Sequence, residues 1–350
     1  MHRAILLRRS RGRLAASLLA LIALAAPAGA QVRAARLTLD NDAYALWDRA
    51  DYEYTNGVAL SVEVAGGPVW ARRLAAGAAA CTGAESPDAP CSSTTFAIGQ
   101  KIYAPRHDGP ELAPGERPYA GWLYLSATGR LASAARRRSA GVEVGVTGPP
   151  SLAQAVHTGW HRATGFWTPQ GWQNQLAFEP GIAVHYQEAV LGELRGGGRR
   201  LAAVAPEWGA SLGSLLTAAH AAVRASAGMD VPHPWSAAAD RAAGPVSVYA
   251  LAAARGDAVA RNLFLDGSTF GAGPRVERRP FVFSYELGGG VRYRSLTLEY
   301  RARHRGREYR TEPGGHTYAA IELAWRPAAA PTPSPLGANP APPAPGSHAP

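Results

Sequence analysis

Three polar clusters stand out in an alanine-rich chain of 350 residues, and each holds side chains that can bind a cation or move a proton. The first cluster comprises Asp40-Asn41-Asp42, Asp48, Asp51 and Tyr54-Thr55-Asn56-Gly57. The second comprises Gly148-Pro149-Pro150, His157, His161, Gly171-Trp172, Gln175 and Glu179. The third runs from Arg261 to Gly267, with Thr269 and Phe270 close behind.

The first cluster combines carboxylates with amide and hydroxyl oxygens, which are the ligands that calcium prefers. If Leu37 and Leu39 face outward on a strand, Asp40 and Asp42 face inward. The same alternation in the following strand turns Thr55 inward, so Asp42 and Thr55 could meet across a hairpin. The alternative is that Asp-Asn and Asn-Gly only supply turn geometry.

The second cluster supplies a candidate general base, His161, because imidazole titrates near neutral pH. The segment 151–164 shows no strand alternation, and Pro149-Pro150 favours a short helix with His157 and His161 on one face. Two histidines at this spacing can also bind zinc. No glutamate follows His157, so the metalloprotease motif is absent.

These clusters lie in a chain whose first 30 residues have the pattern of a cleaved signal peptide. Five arginines and no acidic residue accompany an apolar run, too short to span a membrane, and the small-residue site Ala28-Gly29-Ala30. We therefore expect the exported chain to begin at Gln31. Without those arginines its formal net charge falls from +10 to +5. No basic block is interleaved with aromatics, so we expect no nucleic-acid partner.

Strand alternation recurs throughout the exported chain. Apolar residues alternate with small or charged ones over 58–64, 142–146 and 321–325, which predicts half-buried strands facing a polar lumen. Nine further candidate strands lie at 36–42, 95–104, 120–132, 181–191, 201–212, 217–228, 246–255, 281–293 and 296–304. Twelve is an even number, as a closed barrel requires, so we predict an all-β, transmembrane antiparallel β-barrel of the outer-membrane type. A soluble β-sandwich is the alternative.

Strand direction, counted from a periplasmic N-terminus, places 43–55, 105–119 and 149–180 outside the cell. The barrel should occupy 31–326, with Trp325 as the terminal aromatic of the last strand. The Pro/Ala-rich segment 327–350 should form a disordered tail. Cys81 and Cys91 enclose a Gly/Ser/Pro-rich segment, and we expect them to be paired because an exported chain folds where disulfides persist.

Four blocks of the sequence resemble, in the same order, those of the outer-membrane lipid A deacylase family. They are Leu39 to Asp42 with Asp51 and Tyr54 to Gly57, Arg117 to Trp122, Thr147-Gly148-Pro149 with His161-Arg162 and Gly171-Trp172, and Arg261 to Gly267. The resemblance extends from about Arg36 to Trp325. Four ordered blocks make it specific, whereas any one alone would be weak.

This resemblance implies a twelve-stranded barrel that removes an acyl chain from lipid A by calcium-assisted ester hydrolysis. Position by position, Asn41 and Asp42 match the family's Asn-Asp pair, Thr55 its active-site hydroxyl residue and His161 its catalytic histidine. His161 would be the base that activates water, and Asp42 the calcium ligand or its orienter. Asn41 and Thr55 would stabilise the oxyanion or position the ligand.

The match is incomplete after His161, where the family's best-known member has a glutamate and this chain reads Gly165-Phe166-Trp167. Glu179 is too distant in sequence to be assumed a substitute. Two alternatives remain: a passive barrel, and an outer-membrane phospholipase, for which Ser151 is the serine nearest to His161. We expect a monomer in the outer membrane, with lipid A or lipopolysaccharide as its substrate.

Overall fold

The computed structural model describes residues 31–45, 52–67, 78–82, 85–107, 109–240 and 244–327. The proposed signal peptide, the carboxylates Asp48 and Asp51, and the tail after Pro327 lie outside the described residues.

Twelve long antiparallel strands form a closed ring in which each strand pairs with its sequence neighbours. The ring closes where the first strand pairs with the last, with Leu37 opposite Leu323. The strands are β1 Val32–Asn41, β2 Glu53–Ala65, β3 Cys91–Ala104, β4 Ala120–Ala132, β5 Arg136–Val146, β6 Pro180–Val190, β7 Arg199–Gly213, β8 Leu216–Met229, β9 Val246–Asn262, β10 Phe281–Tyr293, β11 Leu296–Arg305 and β12 His316–Trp325. The predicted twelve-stranded all-β barrel is confirmed, and Trp325 ends its last strand.

Alternation along the strands separates an apolar outer surface from a charged lumen. Leu125 on β4 is 58% exposed on the outside, and Val58 on β2 is also exposed. Inside, the Glu63 carboxylate lies 3.2 Å from the Arg36 guanidinium and 3.1 Å from that of Arg130. Closure of the ring leaves no strand edge whose backbone groups would lack partners in lipid.

The connections divide the barrel into two ends. The site end carries the loops 42–52, 105–119, 147–179, 263–280 and 306–315, and the terminal end carries both ends of the described chain. The helix α1, Ala153–Thr164, lies in the loop 147–179, and a single turn, Leu263–Asp266, begins the loop 263–280. No helix among the described segments is long and apolar enough to cross a membrane.

The third polar cluster closes the lumen at the site end. Leu263, Phe264 and Leu265 are all buried. The Phe264 ring stacks on Tyr103 at 4.5 Å and meets Trp122 edge-on at 6.3 Å. The run from Arg261 to Gly267 therefore packs the barrel interior, and this explains its apolar centre without a catalytic role.

A loop after β8 closes the terminal end, near the hairpin that carries the predicted Cys81–Cys91 disulfide, which is formed. The His233 ring is 1% exposed, and its Nε2 lies 2.9 Å from the Ala134 carbonyl oxygen. Its Nδ1 accepts hydrogen bonds from the backbone N–H groups of Trp235 and Ser236. Only a neutral imidazole can make all three bonds.

Acid should therefore loosen this loop. Burial and the nearby Arg200 lower the pKa of His233 from 6.5 to about 4. The neutral ring contributes about 3 kcal/mol, which is fully present above pH 6.5 and is lost as the pH falls to 4. We expect the urea midpoint of the barrel in detergent to fall over this range. His233→Asn should flatten the dependence, whereas the exposed-site variant His107→Asn should keep it. An unchanged pH profile in His233→Asn would contradict the assignment.

Candidate active site

Helix α1 lies on the outer face of the barrel wall. The Tyr103 side chain points into the lumen. Because side chains alternate along β3, those of Gln100, Ile102 and Ala104 face outward. Gln100 Nε2 donates to the Ser151 carbonyl oxygen at 2.6 Å. Ile102 and Ala104 are buried in one cluster with Ala153, the first residue of α1.

A glycine on β4 allows this close approach. A Cβ atom at Gly121 would lie 2.1 Å from Ser151 Oγ and 2.3 Å from the Ala153 Cβ. No side chain fits between the strand and the start of the helix.

Replacing this glycine should displace the helix without unfolding the barrel. For Gly121→Ala we expect a stability loss of about 1–3 kcal/mol, typical of overpacking, and a loss of activity because α1 moves. Gly159→Ala is a matched control, since a Cβ there meets nothing within 4 Å. Heat-modifiable gel migration should show a folded barrel in both variants. Wild-type activity and stability in Gly121→Ala would contradict this packing.

One row of α1 faces the wall and carries both histidines. Ala153, His157 and His161 are the buried residues of the helix, at the predicted spacing of four. The His157 ring lies 5.8 Å from Trp172 and meets the His161 ring edge-on at 4.6 Å. The predicted helix is confirmed, and His157 packs between the wall and His161.

The backbone after α1 orients His161. His161 Nδ1 lies 2.6 Å from the Trp167 carbonyl oxygen, which can only accept a hydrogen bond. The neutral ring therefore carries its proton on Nδ1 and its lone pair on Nε2. Trp167 lies in the segment where the resemblance leads one to expect a glutamate, and its backbone carbonyl oxygen orients the His161 ring. This contact has no signature in the sequence, because every residue type carries a backbone carbonyl oxygen.

Asn41 and Asp42 end β1 and begin a 3₁₀ turn, Asp42–Tyr44. Asp40 faces the lumen, where it accepts from the Tyr54 hydroxyl, so Asn41 lies on the outer face with Leu37 and Leu39. Asn41 Oδ1 accepts from Ala43 N at 2.8 Å. Asp42 is 2% exposed, and its two oxygens accept from the backbone N–H groups of Ala43 and Tyr52.

Thr55 sits in a β-bulge, which changes the expected alternation. Tyr54 pairs with Tyr103 and Asn56 with Ile102, so Thr55 has no residue opposite it. Tyr54 reaches the lumen although strict alternation from Gly57 would turn it outward. A bulge re-aims the side chains around it, and Thr55 itself is 1% exposed. The inward direction assigned to Thr55 from alternation therefore has no basis in this strand.

The structure brings the β1–β2 residues and α1 to one face of the wall. Asn41 pairs with Asn56, and Asn56 pairs with Ile102, which packs beneath α1. Two strand spacings, roughly 10 Å, separate Asn41 from the Ile102 column. Asn41, at the end of β1, thus lies on the same outer face of the wall as α1.

A buried ionic network ties two site-end loops to the start of β2. Arg117 is fully buried, and its Nη1 lies 3.3 Å from a carboxylate oxygen of Glu53 and 3.3 Å from one of Glu308. The Tyr309 hydroxyl donates to Glu53 at 2.7 Å. Burial alone would raise the pKa of Glu308, but Arg305 and Arg117 lower it below its ordinary value. The Arg117 block is therefore a structural anchor of the site.

The sequence as a whole matches the family model of the outer membrane protein LpxR over residues 14–327. The chain belongs to the LpxR family. LpxR from Salmonella typhimurium has the same fold, with a TM-score of 0.67 and 19% identity, and the match covers 84% of this chain and 99% of that one. The beta domain of the Bordetella autotransporter Brka matches with a TM-score of 0.39 and 7% identity, covering 84% and 98%. No curated protein sequence matches. This barrel is therefore an outer-membrane protein of the LpxR family.

Glu179 does not take the place of the glutamate after His161 in this LpxR-family chain. Its carboxylate accepts from the Ser268 hydroxyl at 2.7 Å and from Thr269 N at 2.8 Å. Burial would raise the pKa of Glu179, but these hydrogen bonds lower it below its ordinary value. Glu179 joins the loop of α1 to the loop 263–280.

The family resemblance implies calcium, and the donor atoms of this LpxR-family site are of the kind that calcium binds. Asp42, Asn41 and Thr55 offer carboxylate, amide and hydroxyl oxygens. Within the described residues, however, the one group of three His, Cys, Asp or Glu ligands is Cys81, Glu85 and Cys91, whose sulfurs form the disulfide. Calcium binding stays a prediction.

Proposed function

We propose that this protein hydrolyses an acyl ester of lipid A at the outer face of its barrel, with His161 as the general base. The observation that carries the proposal is the hydrogen bond from His161 Nδ1 to the Trp167 carbonyl, because it leaves Nε2 as the proton acceptor. The helix that holds this base packs on the lipid-facing side of the wall, where an acyl chain of a membrane lipid lies.

The proposed reaction begins when His161 Nε2 takes a proton from water and the water oxygen bonds to the ester carbonyl carbon. Asn41 Oδ1 is engaged by Ala43 N, so its amide NH₂ and the Thr55 hydroxyl are the donors for the resulting oxyanion. The bond between the acyl carbon and the sugar oxygen then breaks. His161 returns the proton to the leaving alkoxide, and a fatty acid and a sugar hydroxyl are released.

Calcium, held by Asp42 with Asn41 or Thr55, would polarise the ester carbonyl as a Lewis acid. Asp42 also holds the start of β2 through its hydrogen bond from Tyr52 N at 3.0 Å. The residue therefore positions Thr55 whether or not an ion is bound.

The phospholipase alternative with a serine nucleophile lacks support from Ser151. Its hydroxyl donates to the Gly148 carbonyl at 2.6 Å, and the side chain is fully buried beneath the start of α1. No imidazole activates it through the hydrogen bonds described for this residue.

The test is expression in an outer membrane that contains hexa-acylated lipid A, followed by mass spectrometry of lipid A and released fatty acids. We expect the wild-type protein to remove one or more acyl chains. Asp42→Ala should lower the rate of this deacylation by about 10²-fold or more. Chelation with EGTA, reversed by added calcium, tests the ion separately. Unchanged lipid A in the presence of calcium would refute the deacylase proposal, and loss of phospholipid instead would favour a phospholipase.

A further inference from the structure

Helix α1 has an exposed apolar flank that catalysis does not use. Val156 and Trp160 lie four residues apart on the helix and are 43% and 52% exposed, and Leu152, which precedes the first helical residue, is 57% exposed. At roughly 100° per residue they form one stripe along the helix. We call this stripe the apolar flank.

The opposite flank of α1 is polar. Gln154, Thr158 and Arg162 repeat at the same spacing, and they lie on the other side of the buried row that carries the histidines. With its buried row on the barrel wall, the helix therefore presents apolar side chains in one direction and polar side chains in nearly the opposite one. This is the pattern of a helix that lies in a membrane–water interface.

The apolar flank continues the lipid-facing surface of the barrel. Gly121, which contacts the start of α1, shares the outer face of β4 with Leu123 and Leu125. Leu125 pairs with Val144, and Val144 pairs with Ile182, so three exposed apolar residues stand side by side below the helix. Four residues, or roughly 13 Å of strand, separate Gly121 from this belt at Leu125, with the half-buried Leu123 between them.

The segments that follow the helix extend the same surface. Phe166 is 59% exposed, and Phe178 is 58% exposed two residues before β6 begins. Such large exposed apolar side chains next to the lipid belt are costly in water and favourable in hydrocarbon.

We propose that the apolar flank of α1 inserts into the hydrocarbon of the membrane leaflet around the barrel and so sets the depth of His161 relative to acyl esters. The insertion follows from the geometry of the helix and the belt. Its consequence for catalysis rests on the proposed function. The occupant is lipid hydrocarbon, because the flank is continuous with a surface that lipid already covers.

Depth can be measured with nitroxide labels on the full chain in phosphatidylcholine vesicles. The two cysteines of the chain form a disulfide, so a thiol introduced by Val156→Cys or by the control Gln154→Cys is free for labelling. We expect the Val156→Cys label to collide preferentially with oxygen, at a depth of roughly 5–10 Å, and the Gln154→Cys label to collide preferentially with a water-soluble nickel chelate. Equal accessibility of both labels to the nickel chelate would overturn the inference.

Activity then tests the catalytic consequence. Val156→Asp should lower kcat/KM on lipid A in membranes by roughly 10-fold and leave turnover of detergent-dispersed lipid A unchanged. Equal losses on both substrate forms would overturn the role in setting depth. If no variant and no wild-type protein deacylates lipid A, the proposed function fails, while the label measurement still decides whether the flank inserts.

Discussion

Replacing His161 with glutamine lowers lipid A deacylation by roughly 10²- to 10⁴-fold, the contribution expected of a general base. Glutamine retains an N–H that can reach the Trp167 carbonyl, so the segment after α1 stays in place. It lacks a proton acceptor of suitable strength, so water is no longer activated. The measurement is the initial rate of fatty-acid release, with barrel folding checked by heat-modifiable migration.

The matched control is His107→Gln, because His107 lies in a site-end loop but its ring is exposed and pairs with Glu116. This variant should retain wild-type rates. Full activity in His161→Gln would remove the proposed mechanism even if lipid A proved to be the substrate. Equal losses in both variants would show that the assay reports loop damage in place of base catalysis.

Replacing Arg117 with methionine destabilises the folded protein by about 3–5 kcal/mol. Methionine fills a similar volume but leaves the Glu53 and Glu308 carboxylates buried without their shared guanidinium. Glu53 also has a φ of +65°, a conformation that costs about 1–3 kcal/mol and persists only where its surroundings hold it. Once its anchor is lost, the start of β2 should relax and displace Thr55, and activity should fall as well.

Urea unfolding in detergent measures the stability loss, and limited proteolysis reports opening of the loops 105–119 and 306–315. Arg138→Met is the control, since Arg138 is exposed and water screens its ion pair with Glu188, so its loss should change stability little. Combining Arg117→Met with Glu53→Gln should cost less than the sum of the single changes, because one of the two carboxylates that lose the shared guanidinium is also neutralised. Strict additivity, or a loss no larger than in Arg138→Met, would contradict the anchoring role.

The placement of α1 bears on how a lipid reaches the site. A luminal cavity of about 470 Å³ is lined by charged side chains that include Arg36, Glu207, Arg224 and Glu286. An acyl chain would have to desolvate these groups to enter it. The space between α1 and the outer wall avoids that cost, since the chain stays in hydrocarbon while its ester meets His161.

Local patterns were sufficient for the architecture. Alternation such as that of 58–64 depends only on which side chains face lipid and which face a polar lumen, so it identified twelve strands and their order. The predicted strand ends were less accurate where both faces of a strand are buried. β12 begins at His316, five residues before its alternating segment, because the loops of the site end cover the residues 316–320.

The candidate site residues could also be picked out from residue type and spacing. Pro149-Pro150 and the spacing of His157 and His161 predicted a helix with both rings on one side, and the structure has that helix. Asn41, Asp42, Thr55 and His161 came from the order of the blocks. The direction of Thr55 did not, because the bulge there breaks the alternation from which it was inferred.

The sequence by itself therefore determined a closed β-barrel with a polar lumen, a disulfide-closed loop and a histidine-bearing helix, because each depends on residue type at short range. Only the tertiary structure decided that this helix lies on the outside of the wall. That position depends on the space left by Gly121, the reach of Gln100 to Ser151 and the carbonyl of Trp167. These contacts join residues far apart in sequence or use backbone atoms, neither of which residue type reveals.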